Sequence, residues 1–285
     1  MAVQLRGDNF KILQLTDLHF GELPHNKEDQ QTLALIKEKT AEVQPDLIVV
    51  TGDLMWSADT KHSDKTFEAL ISFFNGLETP ITITYGNHDT EASVSRSDLR
   101  KLEEGLVNPV EKKQSFIVED RESYCIEIRD GEDKLCHVLY VIDSGAEDPL
   151  QIGTYEFVHP KQVNWFYETA ENYRTEQPDR EDFVFLHIPI PEYEEAWQKG
   201  RAVGYKYEGV CSPAVNTGLF TSMLLDKQVK GIFCGHDHDN DYEADYHGIK
   251  FCFGRVTGFN CYGELSRGGR VIELQANQSF RTYLV

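Results

Sequence analysis

The chain has 285 residues, 40% of them hydrophobic and 27% charged, with 48 acidic against 28 basic side chains and a formal charge of −20. That length buries a sizeable core. That charge repels phosphate backbones and anionic bilayers, so a protein that coats nucleic acid or lies on an anionic membrane is not expected, while a small anion stays admissible wherever a bound cation reverses the local field.

In chain order, Lys11 to Leu15 reads as a strand, and Asn26 to Val43, with Leu33, Leu35 and Ile36 among polar residues, as a surface helix. Pro45-Asp46 punctuates, and Leu47 to Val50 is a continuous apolar run of the kind buried on both faces. His62 to Phe74 reads as a helix and Pro80 to Tyr85 as a third strand. This alternation predicts right-handed crossovers and a parallel sheet. Residues 115–118, 124–128 and 138–142 read as strands joined by acidic turns, 160–172 as a helix and 183–186 as a short buried strand. Residues 188–220 carry many aromatics without a clear period, long for a loop and therefore a functional candidate. Thr221 to Leu225 continues a helix and Lys230 to Cys234 is a strand. Residues 249–253, 270–274 and 280–285 read as consecutive strands of a second sheet.

No Pro-, Gly- or Ser-rich linker divides the chain, so residues 1–285 are expected to form one domain. No stretch reaches the roughly 18 apolar residues of a membrane span, and the first residues lack the basic flank and apolar core of a secretory leader. Cys125, Cys136, Cys211, Cys234, Cys252 and Cys261 are scattered, with no Cys-x-x-Cys pair. They read as reduced thiols of a cytoplasmic protein. The alternative is a hairpin pair, Cys125 with Cys136, across the turn at 130–133.

Five strand candidates end in one kind of polar group: Asp17-Leu18-His19, Asp53, Asn87-His88-Asp89, His187 and His236-Asp237-His238. Ligand sites of α/β sheets lie beyond the carboxyl ends of the strands, so these ends are expected to meet in one crevice. Asp17 and His19, like His236 and His238, are two apart and point to one side in extended chain. Gly52, Gly86 and Gly235 precede the polar residues and permit sharp turns. The donors are imidazole, carboxylate and carboxamide without thiolate, which favours a catalytic over a structural site. Asp17, His19, Asp53, Asn87, His187, His236 and His238 are too many for one tetrahedral ion and suit two ions sharing a carboxylate, an arrangement that clamps in-line displacement at phosphorus. Each fragment has a bland alternative: a turn, a helix cap, or a hydrogen-bonded core histidine at His187.

In this order, Asp-x-His, Gly-Asp, Gly-Asn-His-Asp, a lone His and Gly-His-x-His resemble the signature of calcineurin-like metallophosphoesterases, and they span residues 17–238. The stretches His187 to Tyr193, Asn216 to Phe220, Gly235 to Asp241, Tyr262-Gly263 and Arg270 to Leu274 resemble a narrower branch of plant and yeast phosphatases related to purple acid phosphatases. The resemblance implies a four-layer α/β/β/α sandwich of two mixed sheets. It assigns Asp17, His19, Asp53 and His238 to one ion and Asp53, Asn87, His187 and His236 to the other, with Asp53 bridging. A hydroxide shared by the metals would attack phosphorus. His88 would stabilise the transition state and protonate the leaving oxygen, with Asp89 orienting its ring. Mn, Fe, Zn and Ni all suit these donors.

Purple enzymes place a tyrosine ligand three residues after the bridging aspartate, where this chain has Trp56, and they lack the histidine that stands here as His19. An Fe(III)–tyrosinate centre is therefore not expected. The expected activity is hydrolysis of a small phosphomonoester. The alternatives are a phosphodiesterase on a cyclic nucleotide or other small diester, and a non-catalytic scaffold of the same fold. Tyr193, Trp197, Tyr205 and Tyr207 are candidates for a wall over the metals or for core packing. Asn216 and Glu208 are candidates for substrate contact, and Asn240 and Asp241 for outer support of the ligands or for a turn.

Overall fold

The computed structural model describes residues 3–5, 9–92, 94–275 and 279–285. The first half runs β1 (Val3–Gln4), β2 (Asn9–Leu15), α1 (Lys27–Val43), β3 (Leu47–Thr51), α2 (Ser63–Asn75), β4 (Ile81–Thr84), α3 (Arg96–Glu103), β5 (Lys113–Val118), β6 (Arg121–Arg129) and β7 (Leu135–Ile142). The second half runs α4 (Pro160–Glu176), β8 (Asp182–Phe185), α5 (Glu192–Lys199), β9 (Arg201–Val203), α6 (Leu219–Asp226), β10 (Val229–Cys234), β11 (Glu243–Tyr246), β12 (Ile249–Phe253), β13 (Arg270–Gln275) and β14 (Ser279–Leu284).

These strands build two mixed sheets. The smaller has the order β14-β13-β2-β3-β4, and the larger has the order β1-β6-β7-β8-β10-β12-β11-β9 with β5 beside β6. β2, β3 and β4 are parallel, as are β7, β8, β10 and β12. Alternation along each strand divides its side chains between two cores. Leu47 and Val49 of β3, Leu139 and Val141 of β7, Phe183 and Phe185 of β8 and Phe233 of β10 pack together between the sheets. Ile48 and Val50 face outward under Ile36, Phe67, Leu70 and Phe74 of α1 and α2. Val138, Tyr140, Val184 and Ile232 face outward under Trp165, Phe166, Tyr193 and Met223 of α4, α5 and α6. The result is the expected four-layer α/β/β/α sandwich.

Local chemistry sets the helix starts. The Asn26 side chain accepts from the Asp29 N–H at 2.6 Å, and the Asp29 carboxylate accepts from the Asn26 N–H at 3.0 Å, a reciprocal capping box. Ser95 and Asp98 cap α3 in the same way.

Three expectations change. First, the carboxy-terminal strands do not share one sheet. β12 pairs in parallel with β10 in the large sheet, because Ile249, Phe251 and Phe253 are buried in the core under α5 and α6. β13 instead pairs antiparallel with β2, from Arg270 opposite Gln14 to Gln275 opposite Asn9. Residues 254–269 therefore cross from one sheet to the other. Second, Cys125 and Cys136 are not neighbours: Tyr140 stands opposite Cys125, and all six cysteines are free. Third, the segment 188–220 contains α5 and β9; α5 is one short amphipathic helix that buries only Tyr193 and Ala196, too brief to show a period. No helix among the described residues is long and apolar enough to cross a membrane.

The inter-sheet core is the part whose loss should cost most. The Phe233 ring stacks on Phe185 at 5.1 Å between centroids, and both are fully buried. Phe233→Ala is expected to lower unfolding free energy by about 3–5 kcal/mol in urea titration. A loss under about 1 kcal/mol would show that the two sheets are not packed through this ring.

Candidate metal centre

The carboxyl ends of β2, β3, β4, β8 and β10 meet at one edge of the sandwich. The turns leaving β2 and β3 run side by side: the Asp17 N–H donates to the Gly52 carbonyl at 3.1 Å, and the Leu18 and His19 N–H groups donate to the Asp53 carbonyl at 2.8 and 3.0 Å. This leaves Asp17, His19 and Asp53 with φ of 54°, 49° and 51°, and His236 with φ of 79°. Left-handed backbone is costly for side chains other than glycine, and such residues cluster at functional sites. Two glycines keep the edge open. A Cβ on Gly52 would lie 2.6 Å from the His187 ring, and one on Gly86 would lie 2.1 Å from the Asp53 carboxylate.

Every one of the seven ligand candidates from the sequence lies here, and all are at least nine-tenths buried. The Asp53 Oδ2 atom stands 3.1 Å from His187 Nε2 and 3.5 Å from His19 Nε2. His238 Nε2 is 3.6 Å from Asp17 Oδ1, and the Asp17 carboxylate accepts from the His236 N–H. The His187 Nδ1–H donates to the Thr51 carbonyl at 2.7 Å, which aims Nε2 inward, 3.2 Å from Asn87 Oδ1. An outer partner on one ring nitrogen is how proteins orient a metal-binding imidazole.

These side chains fit divalent ions. His187 Nε2, Asn87 Oδ1 and Asp53 Oδ2 converge on one point, and with the ring neutral all three turn lone pairs toward a cation placed there. Both ring nitrogens of His19, Nε2 of His236 and Nδ1 of His238 are buried without a hydrogen-bond partner among the described residues, an expensive state for polar atoms otherwise. Donor atoms within 4.8 Å of one another form the groups Asp17–His19–Asp53, Asp53–His187–His236 and His19–His238–Cys261. Asp53 belongs to two of them.

Electrostatics divide the site. Burial works against the Asp53 charge, but His187 and His19 outweigh it and hold the carboxyl well below its usual range. His238 and His187 likewise overcome burial at Asp17. Burial holds His19 down, and burial with His187 holds His236 down to about 3. Those two rings are thus neutral, the form that gives a lone pair to a metal. His187 rises to about 10, because Asp53 and Asp17 outweigh its burial.

The Asp89 carboxylate is not beside the His88 ring. It accepts from the backbone N–H groups of Gly86, Asp53 and Met55 at 2.7, 3.0 and 3.0 Å, and so ties the turn after β4 to the turn after β3. Burial and the nearby Asp53 push it up to about 7. The His88 ring instead stacks on Trp56, 4.5 Å between centroids and 16° between planes, with Nδ1 2.9 Å from Glu91 Oε1. The His88 N–H donates to Asp53 Oδ1 at 2.9 Å.

Other candidates sort themselves. Tyr193 is core and donates to the Ile232 and Cys252 carbonyls, and Trp197 packs on Tyr242. Tyr205 and Tyr207 are exposed. Asn216 accepts from the Gly218 N–H just before α6. Asp241 pairs with Arg255, Asn240 donates to Asp237, and Glu208 accepts from the Asp239 N–H and the Tyr262 hydroxyl. Sequence reasoning missed Glu91, Tyr155, whose ring meets His236 edge-on at 4.3 Å, Tyr262, which lies on His238 at 4.2 Å, and Cys261. None sits at a strand end; the only signals were the Glu91 spacing from His88, one helical turn, and the place of Tyr262 in a stretch that resembles the narrower branch.

Residues 10–240 match the family model described as calcineurin-like phosphoesterase, and the chain belongs to that family. It is 30% identical to "probable inactive purple acid phosphatase 14" of Arabidopsis thaliana over 95% of this chain and 76% of that protein. It is 27% identical to phosphatase DCR2 of Saccharomyces cerevisiae over 95% of this chain and 52% of that one. Among solved structures, a dimetal phosphatase from Danio rerio superposes with a TM-score of 0.63 at 14% identity, covering 96% of this chain and 98% of that one. A purple acid phosphatase from yellow lupin superposes with a TM-score of 0.53 at 12% identity, covering 97% and 54%.

The tight approach at Gly86 gives a test of the shared carboxylate. Gly86→Ala is expected to displace Asp53 and lower bound metal at both positions, whereas Gly131→Ala, which meets nothing within 4 Å, leaves metal content unchanged. Elemental analysis after loading with excess Mn or Zn decides, and full occupancy in Gly86→Ala would contradict this role for the contact.

Proposed function

We propose that this calcineurin-like phosphoesterase hydrolyses small phosphate monoesters at a two-metal centre. Asp17, His19, Asp53 and His238 would hold one ion, and Asp53, Asn87, His187 and His236 the other, with Mn, Fe, Zn or Ni as candidates. The observation that carries this reading is the single buried Asp53 carboxylate that belongs to two separate donor groups. Two bound divalent ions supply Lewis acidity, which activates a water and neutralises charge on the phosphoryl oxygens.

The chain's own residues supply the rest. His88 stands at the mouth of the site with its ring a quarter exposed, stacked on Trp56 and with Glu91 Oε1 2.9 Å from Nδ1. Its backbone bond to Asp53 fixes its distance from the shared carboxylate. From there His88 donates a proton to the leaving oxygen. Asp89 acts one step removed, by clamping the turns that carry Asp53 and His88. It is a positioning residue, not the partner of the His88 ring.

Beside His19 lies an open cleft of about 300 Å³ whose walls include Trp56, Asn26, Asn260, Glu22 and Asp59. Its size suits a small leaving group. Its lining carries two carboxylates and, among the described residues, no lysine or arginine, so a leaving group bearing a second phosphate is disfavoured. The same charge balance over the whole chain, −20, speaks against nucleic acid and membrane partners. We read the chain as one domain working in the cytoplasm, a reducing compartment that six free cysteines suit.

The experiment separates chemistry from binding. General acid catalysis typically contributes ~10²–10⁴-fold, and an alkoxide leaving group needs the proton far more than a nitrophenolate does. His88→Ala is expected to keep both metals and lose activity within that range on alkyl phosphates, with a distinctly smaller loss on nitrophenyl phosphate. Equal losses on both esters with metals intact would sink the general-acid role. Absence of hydrolysis by the unsubstituted, metal-loaded chain on any mono- or diester would leave a scaffold as the reading.

A further inference from the structure

Residues 254–269, which cross from the large sheet to the small one, bring one more donor to the centre. Cys261 is 7% exposed, and its Sγ lies with ring nitrogens of His19 and His238 in a group whose atoms are all within 4.8 Å of one another. Within that group, both His19 nitrogens and His238 Nδ1 are buried and have no hydrogen-bond partner among the described residues. We propose that Cys261 gives a sulfur donor to the ion held by Asp17, His19, Asp53 and His238. This rests on the two-metal reading above and adds to it a ligand of a different chemical class.

Burial, with the charges of Asp17 and Asp53, holds the Cys261 thiol well above its usual range, so the sulfur keeps its proton until a cation beside it displaces that proton. The Cys261 thiol now donates to the Asp17 carbonyl at 3.0 Å. That carbonyl also accepts from the Gly258 N–H at 2.9 Å, so it keeps a donor when the thiol proton leaves. The Arg267 guanidinium donates to the Cys261 and Tyr262 carbonyls at 2.6 and 3.1 Å and sets a positive charge beside the sulfur. The preceding residue is pinned, because Asn260 donates to the His19 carbonyl at 2.9 Å and to the capping carboxylate of Asp29 at 2.7 Å. The crossing segment is thereby fastened to the same turn that carries His19. On binding, the S–H bond breaks, a metal–sulfur bond forms and the proton passes to solvent, with no change of oxidation state. A bound metal deprotonates a coordinating thiol outright. Sulfur biases this position toward the softer zinc, cobalt and ferrous ions and against manganese and magnesium.

Cobalt gives the direct readout. The full chain loaded with two Co(II) is expected to show an intense sulfur-to-cobalt charge-transfer band in the near ultraviolet. Cys261→Ser should abolish the band with both cobalt ions still bound, and Cys211→Ser, which alters a thiol near Asp237, should leave it unchanged. X-ray absorption of the zinc-loaded unsubstituted chain should show a Zn–S distance of about 2.3 Å, a measurement that needs no variant. Two bound cobalt ions without the band, a band that survives in Cys261→Ser, or a zinc shell of nitrogen and oxygen alone would each overturn the sulfur ligand while leaving the two-metal reading standing. Fewer than two cobalt ions per chain would overturn both.

Discussion

The Asp53 carboxylate is the constraint on which the rest of the site depends. It is buried, it is shared by two donor groups, and its negative charge is held by imidazoles on both sides. A lone carboxylate in such a place would be several kilocalories per mole too costly, so what surrounds it must supply positive charge. The neighbouring rings do this only in part, because burial keeps His19 and His236 neutral. The arrangement is coherent as a cradle for cations and hard to account for as packing.

Rigid strands make that cradle possible. Four site residues sit in left-handed backbone, a conformation costing of order 1–3 kcal/mol each. The layers beneath hold them there: β2, β3, β8 and β10 are buried on both faces, and their ends are laced by main-chain bonds from Asp17, Leu18 and His19 to the neighbouring turn. Asp89 adds three more bonds from one carboxylate. Stability in the sandwich thus keeps strained turns in register at its edge, and the two separate halves of the site, one from each sheet, meet without a hinge.

Much of this was legible in the sequence. Apolar runs such as Leu47 to Val50 end in polar residues of one chemical kind, and that pattern located all seven ligand candidates, while the four-layer sandwich around them followed from the family resemblance. The sheet assignment of Ile249 to Phe253 was not legible, because an apolar alternating strand carries no mark of its neighbour, and only the burial under α5 and α6 decides it. Nor was the neighbourhood of His88. Asp89 adjoins it in sequence, yet the turn aims that carboxylate at backbone N–H groups, and the ring finds Trp56 and Glu91. Cys261 was invisible for a different reason: it comes from a crossing segment without period, far along the chain from the motifs it joins.

Kinship fits this physical picture without replacing it. The chain shares its family with plant proteins that carry the words "probable inactive" and with a yeast phosphatase. The central claim is narrower than activity, namely that one carboxylate joins two metal ions. Electron paramagnetic resonance of the chain loaded with two Mn(II) tests it most directly. The account predicts the spectrum of an exchange-coupled pair, since ions sharing the Asp53 carboxylate must sense each other. Two independent six-line signals from isolated manganese would contradict it.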